Sequence, residues 1–212
     1  MKVIRPFGPS VAKVTMSNGL VNELNEYVDN SLSDEKKINE LDYGKMLAGN
    51  VKQEFLLDNE FRVLSGWENF LRENVKKWIF ETTGKTINKF EVIDAWIVRQ
   101  FENEYNPLHS HGGHISGVGY LKLPKDYGKT IQDTKKENYN GKLQLTHGTK
   151  MFLSPINLTI EPKIGDFYFF PNYLMHCVYP FKNSNAERRS ISFNASIDKE
   201  IYFNYGNLLN EK

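Results

Sequence analysis

Two of the five histidines in this 212-residue chain stand two apart, in the run Leu108-His109-Ser110-His111. On an extended strand, residues i and i+2 project to the same face, so both imidazoles can reach one metal ion. Imidazole suits zinc, copper, iron and nickel. Pro107 before the pair and Gly112-Gly113 after it set this unit at a strand end, beside a turn. A third histidine, His176, follows the turn-like Phe170-Pro171-Asn172 where another extended segment begins. Each signal taken singly is more often a packed or surface histidine than a ligand. His114 and His147 carry no such pattern and read as structural or solvated.

A second chemical signal lies downstream, in Glu187-Arg188-Arg189-Ser190-Ile191-Ser192-Phe193-Asn194. Strand alternation puts Arg188, Ser190 and Ser192 on one face and Arg189, Ile191 and Phe193 on the other. An inward guanidinium requires an anion, because a buried unpaired charge is costly. The planar fork of arginine matches a carboxylate in two hydrogen bonds, and a neighbouring hydroxyl can add another. An exposed strand face is the alternative reading of Arg188.

These residues must be positioned by two kinds of element. Before residue 90 helical patterns dominate. Ser17 or Asn18 can cap a helix with Leu20, Val21, Leu24, Tyr27 and Val28 on one stripe, and a second helix runs from about Gly66 to Thr83, stopping at Gly84. The polar stretch from Ser31 to Glu40 reads as a surface loop, and Asn50 to Leu57 as either extended or a short helix. After residue 90 come short β-branched and aromatic segments: 95–101, 115–123, 143–145, 158–160, 166–170, 176–179 and 189–197. The long connection from Pro124 to Asn140 is charged and is expected to be exposed, with a substrate lid as one option. The fold expected is α+β: a sandwich or jelly roll whose one sheet carries N-terminal helices, in a single domain over 1–212, with 1–90 as mainly helical support and 91–200 as the β core.

Several pieces together are familiar. His109-x-His111, Ser116-Gly117-Val118-Gly119-Tyr120, Gly165-Asp166-Phe167-Tyr168-Phe169-Phe170-Pro171, His176, and Arg188-x-Ser190-Ile191-Ser192-Phe193-Asn194 occur in this order. So arranged, they resemble a family of 2-oxoglutarate/iron(II)-dependent oxygenases frequent in marine phages and bacteria. The motifs span roughly 95–197, and Leu47 to Leu56 (LAGNVKQEFL) adds a less diagnostic likeness. The resemblance implies a double-stranded β-helix, cupin-like, holding Fe(II) at one open end through His109, His111 and His176. It implies 2-oxoglutarate and O2 as cosubstrates, with Arg188 binding the far carboxylate, since a basic residue about ten or more positions after the distal histidine does so in the superfamily and here 188 − 176 = 12. Ser190 and Tyr120 are the implied accompanying hydroxyls. One position departs from the superfamily pattern: His111 stands where a carboxylate is usual, giving three neutral imidazoles. Either His111 ligates the metal, or it points away and a water completes the shell.

The substrate is a small molecule or a peptide or protein, with prolyl hydroxylation the analogy at fold level. Trp96, Tyr105, Tyr168, Phe170 and Tyr173 are candidate aromatic walls. Two other classes remain: a cupin-like three-histidine metal protein that does not use 2-oxoglutarate, and a non-catalytic jelly-roll binding or structural module. Composition narrows the setting. With 40% hydrophobic and 25% charged residues the chain is globular, and a net charge of +1 gives no reason to expect a nucleic acid or membrane partner. Cys177 is the lone cysteine, so no intrachain disulfide forms and a reducing cytoplasm is expected, that of a host if the chain is phage-encoded. The opening MKVIRPFGPSVAKV has no apolar core of the signal-peptide kind.

Overall fold

A computed structural model describes residues 8–132, 134–182 and 186–204. The first seven residues, on which part of the signal-peptide reading rests, lie outside that range. Two antiparallel sheets face each other. The larger has the order β1(Ala12–Thr15), β8(Asp166–Pro171), β5(Ile115–Lys122), β10(Arg188–Ile197), β3(Phe90–Gln100), β2(Gln53–Leu56). The smaller has the order β4(Asn106–His109), β9(Met175–Val178), β6(Leu143–Thr146), β7(Asn157–Ile160). Strands that follow one another in sequence mostly cross between sheets, which is the jelly-roll arrangement. Among the described residues no helix is long and apolar enough to cross a membrane.

The outer face of the large sheet is dry because two helices cover it. Helix α1(Asn18–Ser31) starts at Ser17, whose hydroxyl accepts from the amide of Leu20 at 3.2 Å. It buries Val21, Leu24 and Val28. A short α3(Asn59–Leu64) leads into α4(Trp67–Thr83), which buries Trp67, Leu71, Val75 and Trp78 and ends at Gly84. Both apolar stripes join Ile97, Phe167, Phe169, Ile191 and Phe193 in one core cluster. The odd-numbered residues of β10 therefore face the helices, while Arg188, Ser190 and Ser192 face the opposite sheet. Gly119 on β5 allows this close packing: a Cβ there would lie 2.3 Å from a ring carbon of Phe167.

Two expectations change. Within 31–40, residues Glu35–Leu41 form helix α2 rather than a loop. Asp34 caps it by accepting from the amides of Lys36 and Lys37, and none of its residues is buried. Only Ile38 and Leu41 turn toward Phe55 and Ile97, an apolar stripe too short to read as a helix. The helical support before residue 90 also contributes β1 and β2, which form the two edges of the large sheet. A C-terminal helix, α5(Lys199–Asn204), follows β10 directly.

Candidate active site

The metal-binding atoms of His109, His111 and His176 lie within 4.8 Å of one another, and they form the one such group of three among the described residues. Pairing of β4 with β9 sets His109 opposite His176, and His111 lies just beyond the end of β4. The orientation of two rings is fixed by backbone. His109 Nδ1 lies 2.7 Å from the carbonyl of Pro107, and His176 Nδ1 lies 2.9 Å from that of Leu174. A carbonyl only accepts, so each Nδ1 carries the proton and each Nε2 offers its lone pair to a metal. His111 Nε2 lies 3.0 Å from His176 Nε2. That is a hydrogen-bond distance between two imidazole nitrogens, and it brings the ring edges of the two histidines to one point. His111 thus points into the cluster, not away from it.

Burial supports the same role. It pulls His111 down to about 3 and His176 down to about 4, with the neighbouring imidazoles adding repulsion. Both rings are therefore neutral near pH 7 and ready to ligate. With no carboxylate in the group, a divalent cation keeps its full charge, which favours an anionic co-ligand.

That anion has a counterpart in the same cavity, whose walls include Trp96, Asn106, Phe170 and Arg188 beside the three histidines. Arg188 is 1% exposed. Its Nε donates to the carbonyl of Gly141 at 3.0 Å and one Nη donates to Ser190 Oγ at 3.4 Å. The other, Nη2, is buried without a partner, and so is the hydroxyl of Tyr120, whose ring lies 5.1 Å from the guanidinium carbon. A buried cationic donor and a buried phenol with nothing to bond are a vacancy for an acceptor of negative charge. A carboxylate, with about four acceptor positions, fits both. The structure thus places Arg188 and Ser190 on the wall of the histidine cavity, with the Tyr120 ring packed against the guanidinium. Arg189, by contrast, is saturated: it bonds Glu187, Asp29 and Asn25.

Among the aromatics, Trp96 and Phe170 line the cavity, Tyr168 packs beside the smaller core cluster, and Tyr105 and Tyr173 are exposed. His114 is structural, accepting from the amide of Ile197 and stacking on Tyr202 at 4.0 Å. His147 is exposed. Three contributors carry no signal in the sequence. Asn106 lines the cavity from the second sheet. Asn172 clamps His111 from both sides, its carbonyl accepting from the His111 amide at 3.0 Å and its side chain donating to the His111 carbonyl at 3.2 Å. Tyr127 belongs to the connection expected to be exposed, yet its hydroxyl is buried without a partner.

Comparison with known proteins agrees with this geometry. Residues 94–194, which contain all three histidines and Arg188, match the family described as "Putative 2OG-Fe(II) oxygenase". No curated protein matches in sequence. Among solved structures, a viral collagen prolyl hydroxylase from Paramecium Bursaria Chlorella virus-1 aligns with a TM-score of 0.55 at 16% identity, covering 88% of this chain and 96% of that one. A Pseudomonas putida prolyl-4-hydroxylase gives 0.57 at 14% identity, with 87% and 91% coverage. A non-heme alpha-ketoglutarate-dependent epimerase from nogalamycin biosynthesis gives 0.56 at 14% identity, with 87% and 76%. At such identities the structures speak for the shared jelly-roll fold, and the family match speaks for the chemistry. The match of residues 94–194 to the 2OG-Fe(II) oxygenase family, with the three-histidine group inside the matched stretch, supports an oxidoreductase that uses Fe(II), 2-oxoglutarate and O2.

Proposed function

We propose that this oxygenase is a hydroxylase, with Fe(II) held by His109, His111 and His176 and the distal carboxylate of 2-oxoglutarate held by Arg188, Ser190 and Tyr120. The observation that carries the reading is the unpartnered Nη2 of buried Arg188 in the cavity that the histidine nitrogens share. A metal protein without an anionic cosubstrate gives that charge nothing to neutralise it. A binding module gives no reason for two backbone carbonyls to orient imidazoles toward one point.

Bound iron and 2-oxoglutarate supply the oxidising power: one atom of O2 ends in succinate, carbon dioxide is released, and the other atom enters the substrate C–H bond. The protein's own residues position and shield. The Nδ1–H bonds of His109 and His176 keep the Nε2 atoms aimed inward. Arg188 and Tyr120 hold a dicarboxylate at a fixed distance from them. Trp96, Val98, Val118 and Phe170 keep water from the cavity walls.

For the substrate, we infer a prolyl residue in a peptide or a free amino acid of similar shape. This choice is supported by the solved neighbours named as prolyl hydroxylases, including one from Trichoplax adhaerens in complex with a hypoxia inducible factor peptide fragment. The test is succinate formation from 2-oxoglutarate by the iron-loaded protein against a panel of proline-containing peptides and free amino acids. Mass spectrometry would follow any gain of one oxygen. Substrate-stimulated succinate formation that vanishes in His176→Ala is expected. Iron uptake with no 2-oxoglutarate turnover, with or without the panel, would overturn the reading.

A further inference from the structure

The segment joining β5 to β6 looked from its charge like a surface excursion. Its base is instead packed against Gly141, the residue that holds Arg188. The carbonyl of Tyr127 accepts from the Lys182 amide at 3.0 Å and from Asn140 Nδ2 at 3.1 Å. The Tyr127 ring meets Phe181 edge-on, with centroids 5.7 Å apart. On another side it lies against Gly141, where a Cβ would sit 2.2 Å from a Tyr127 ring carbon, and where φ is +69°. Any other residue there would be strained and would push the ring away. Gly141 is also the residue whose carbonyl accepts from Arg188 Nε. One glycine therefore fixes both the guanidinium and the tyrosine ring.

The consequence is a cluster of three buried polar atoms with no partner: Arg188 Nη2, Tyr120 Oη and Tyr127 Oη. Each phenol is close enough to feel the Arg188 charge, and Tyr120 also feels Tyr127. Glu161, the acid that acts on Tyr127, is already paired with Lys142 at 2.7 Å. A phenol oxygen can accept from the guanidinium, as Tyr120 can from Arg188, but each phenol O–H still lacks an acceptor among the described residues, and a carboxylate beside Arg188 would supply one.

We propose that Tyr127 donates a third hydrogen bond to the distal carboxylate of 2-oxoglutarate, so that the β5–β6 connection is anchored by cosubstrate. The proposal rests on the reading of Arg188 given above. It makes Tyr127 a binding residue and turns the connection into a reporter of cosubstrate occupancy. Filling the clamp replaces a buried unmet donor at the root of this segment with a charge-assisted bond. The segment is then held more firmly when 2-oxoglutarate is bound than when it is absent.

The experiment is anaerobic calorimetry of the iron(II)-loaded protein with 2-oxoglutarate, for wild type, Tyr127→Phe and Arg188→Gln. Amide exchange over residues 126–141 is followed in parallel, with and without 2-oxoglutarate. Phenylalanine keeps the ring contacts with Phe181 and Gly141 and removes the hydroxyl alone. Tyr127→Phe is expected to weaken binding about tenfold or more, with iron content and melting temperature unchanged. In wild type, exchange over 126–141 should slow on adding 2-oxoglutarate, and in Tyr127→Phe it should respond much less. If Tyr127→Phe binds as wild type does while Arg188→Gln loses binding, the role of Tyr127 is refuted and the reading of Arg188 stands. If Arg188→Gln also binds normally, both fall. Absence of any exchange response in wild type refutes the anchoring whatever the variants do.

Discussion

Replacing each of the two adjacent arginines by methionine should produce opposite phenotypes. Arg188 and Arg189 are neighbours on β10 and are 1% and 0% exposed. Burial alone does not tell them apart; their partners do. Arg189 bonds Asp29 Oδ1 at 2.6 Å, Glu187 Oε1 at 2.8 Å and Asn25 Oδ1 at 2.9 Å, and these contacts tie β10 to α1. Glu187 also meets Arg99 at 2.7 Å and Lys122 at 2.9 Å, and its carboxyl is held down at about 2 despite its burial. Breaking one arm of a buried ion-pair network costs about 3–5 kcal/mol, and the remaining partners of Glu187 place Arg189→Met at about 3. For a chain of this length that is a fall in melting temperature of about 6–12 °C.

Arg188 has only a carbonyl and a hydroxyl as partners, with no ion pair among the described residues. Losing those two bonds is offset by no longer burying a charge, so the metal-loaded Arg188→Met protein should stay within about 1 kcal/mol of wild type. Its cosubstrate affinity is another matter. One charge-assisted bond from Nη2 is worth about 1.5–3 kcal/mol, or about 10–150-fold in Kd. Thermal melting and anaerobic 2-oxoglutarate calorimetry on both variants decide the point. An Arg188→Met protein that unfolds while Arg189→Met stands, or one that binds 2-oxoglutarate like wild type, would refute the reasoning.

Three further outcomes follow from the same geometry. His111→Leu should abolish stoichiometric Fe(II) retention, whereas His111→Asp, which restores the superfamily's carboxylate, should keep it; metal analysis after gel filtration reads both, and full retention by His111→Leu would mean that His111 is not a ligand. Asn172→Ala removes the side-chain half of the clamp on His111 and its bond to Tyr202, so iron affinity should drop about tenfold, as for other residues that orient ligands; a competitive chelator titration showing no change would exclude that role. Glu54 is buried with both carboxylate oxygens unpartnered, and burial, reinforced by Asp42 and Glu104, raises it to about 7. Because the folded value lies above the unfolded one, its favourable contribution is complete below about pH 4.5 and is lost as pH rises through about 7. Glu54→Gln should therefore match wild type near pH 5 and exceed it by about 2–3 kcal/mol near pH 8 in denaturant melts; a difference that does not vary with pH would contradict this.

The parts legible in the sequence were those with a period or a repeated chemistry. Alternation alone separated Arg188, Ser190 and Ser192 from Arg189, Ile191 and Phe193, and the two faces are indeed cavity and core. The stripe of α1 and the Ser17 cap were readable because both depend on local spacing. Helix α2 was not, because it buries no residue fully and only Ile38 and Leu41 form its apolar side. The direction of His111 was also hidden: it lies past the end of β4, where strand alternation no longer applies, and the clamp from Asn172 crosses 61 positions of sequence. Tyr127 was masked by its charged neighbours, since the fact that gives it meaning, contact with Gly141 beside Arg188, is tertiary.

The most direct test of the metal and cosubstrate assignment is an anaerobic optical titration of metal-free protein with Fe(II) and then 2-oxoglutarate. A visible metal-to-ligand charge-transfer band that forms at one equivalent of each, and that disappears in His176→Ala, is the predicted result. A folded protein that retains iron but gives no band with 2-oxoglutarate would contradict the assignment and return the site to a three-histidine metal centre of another kind.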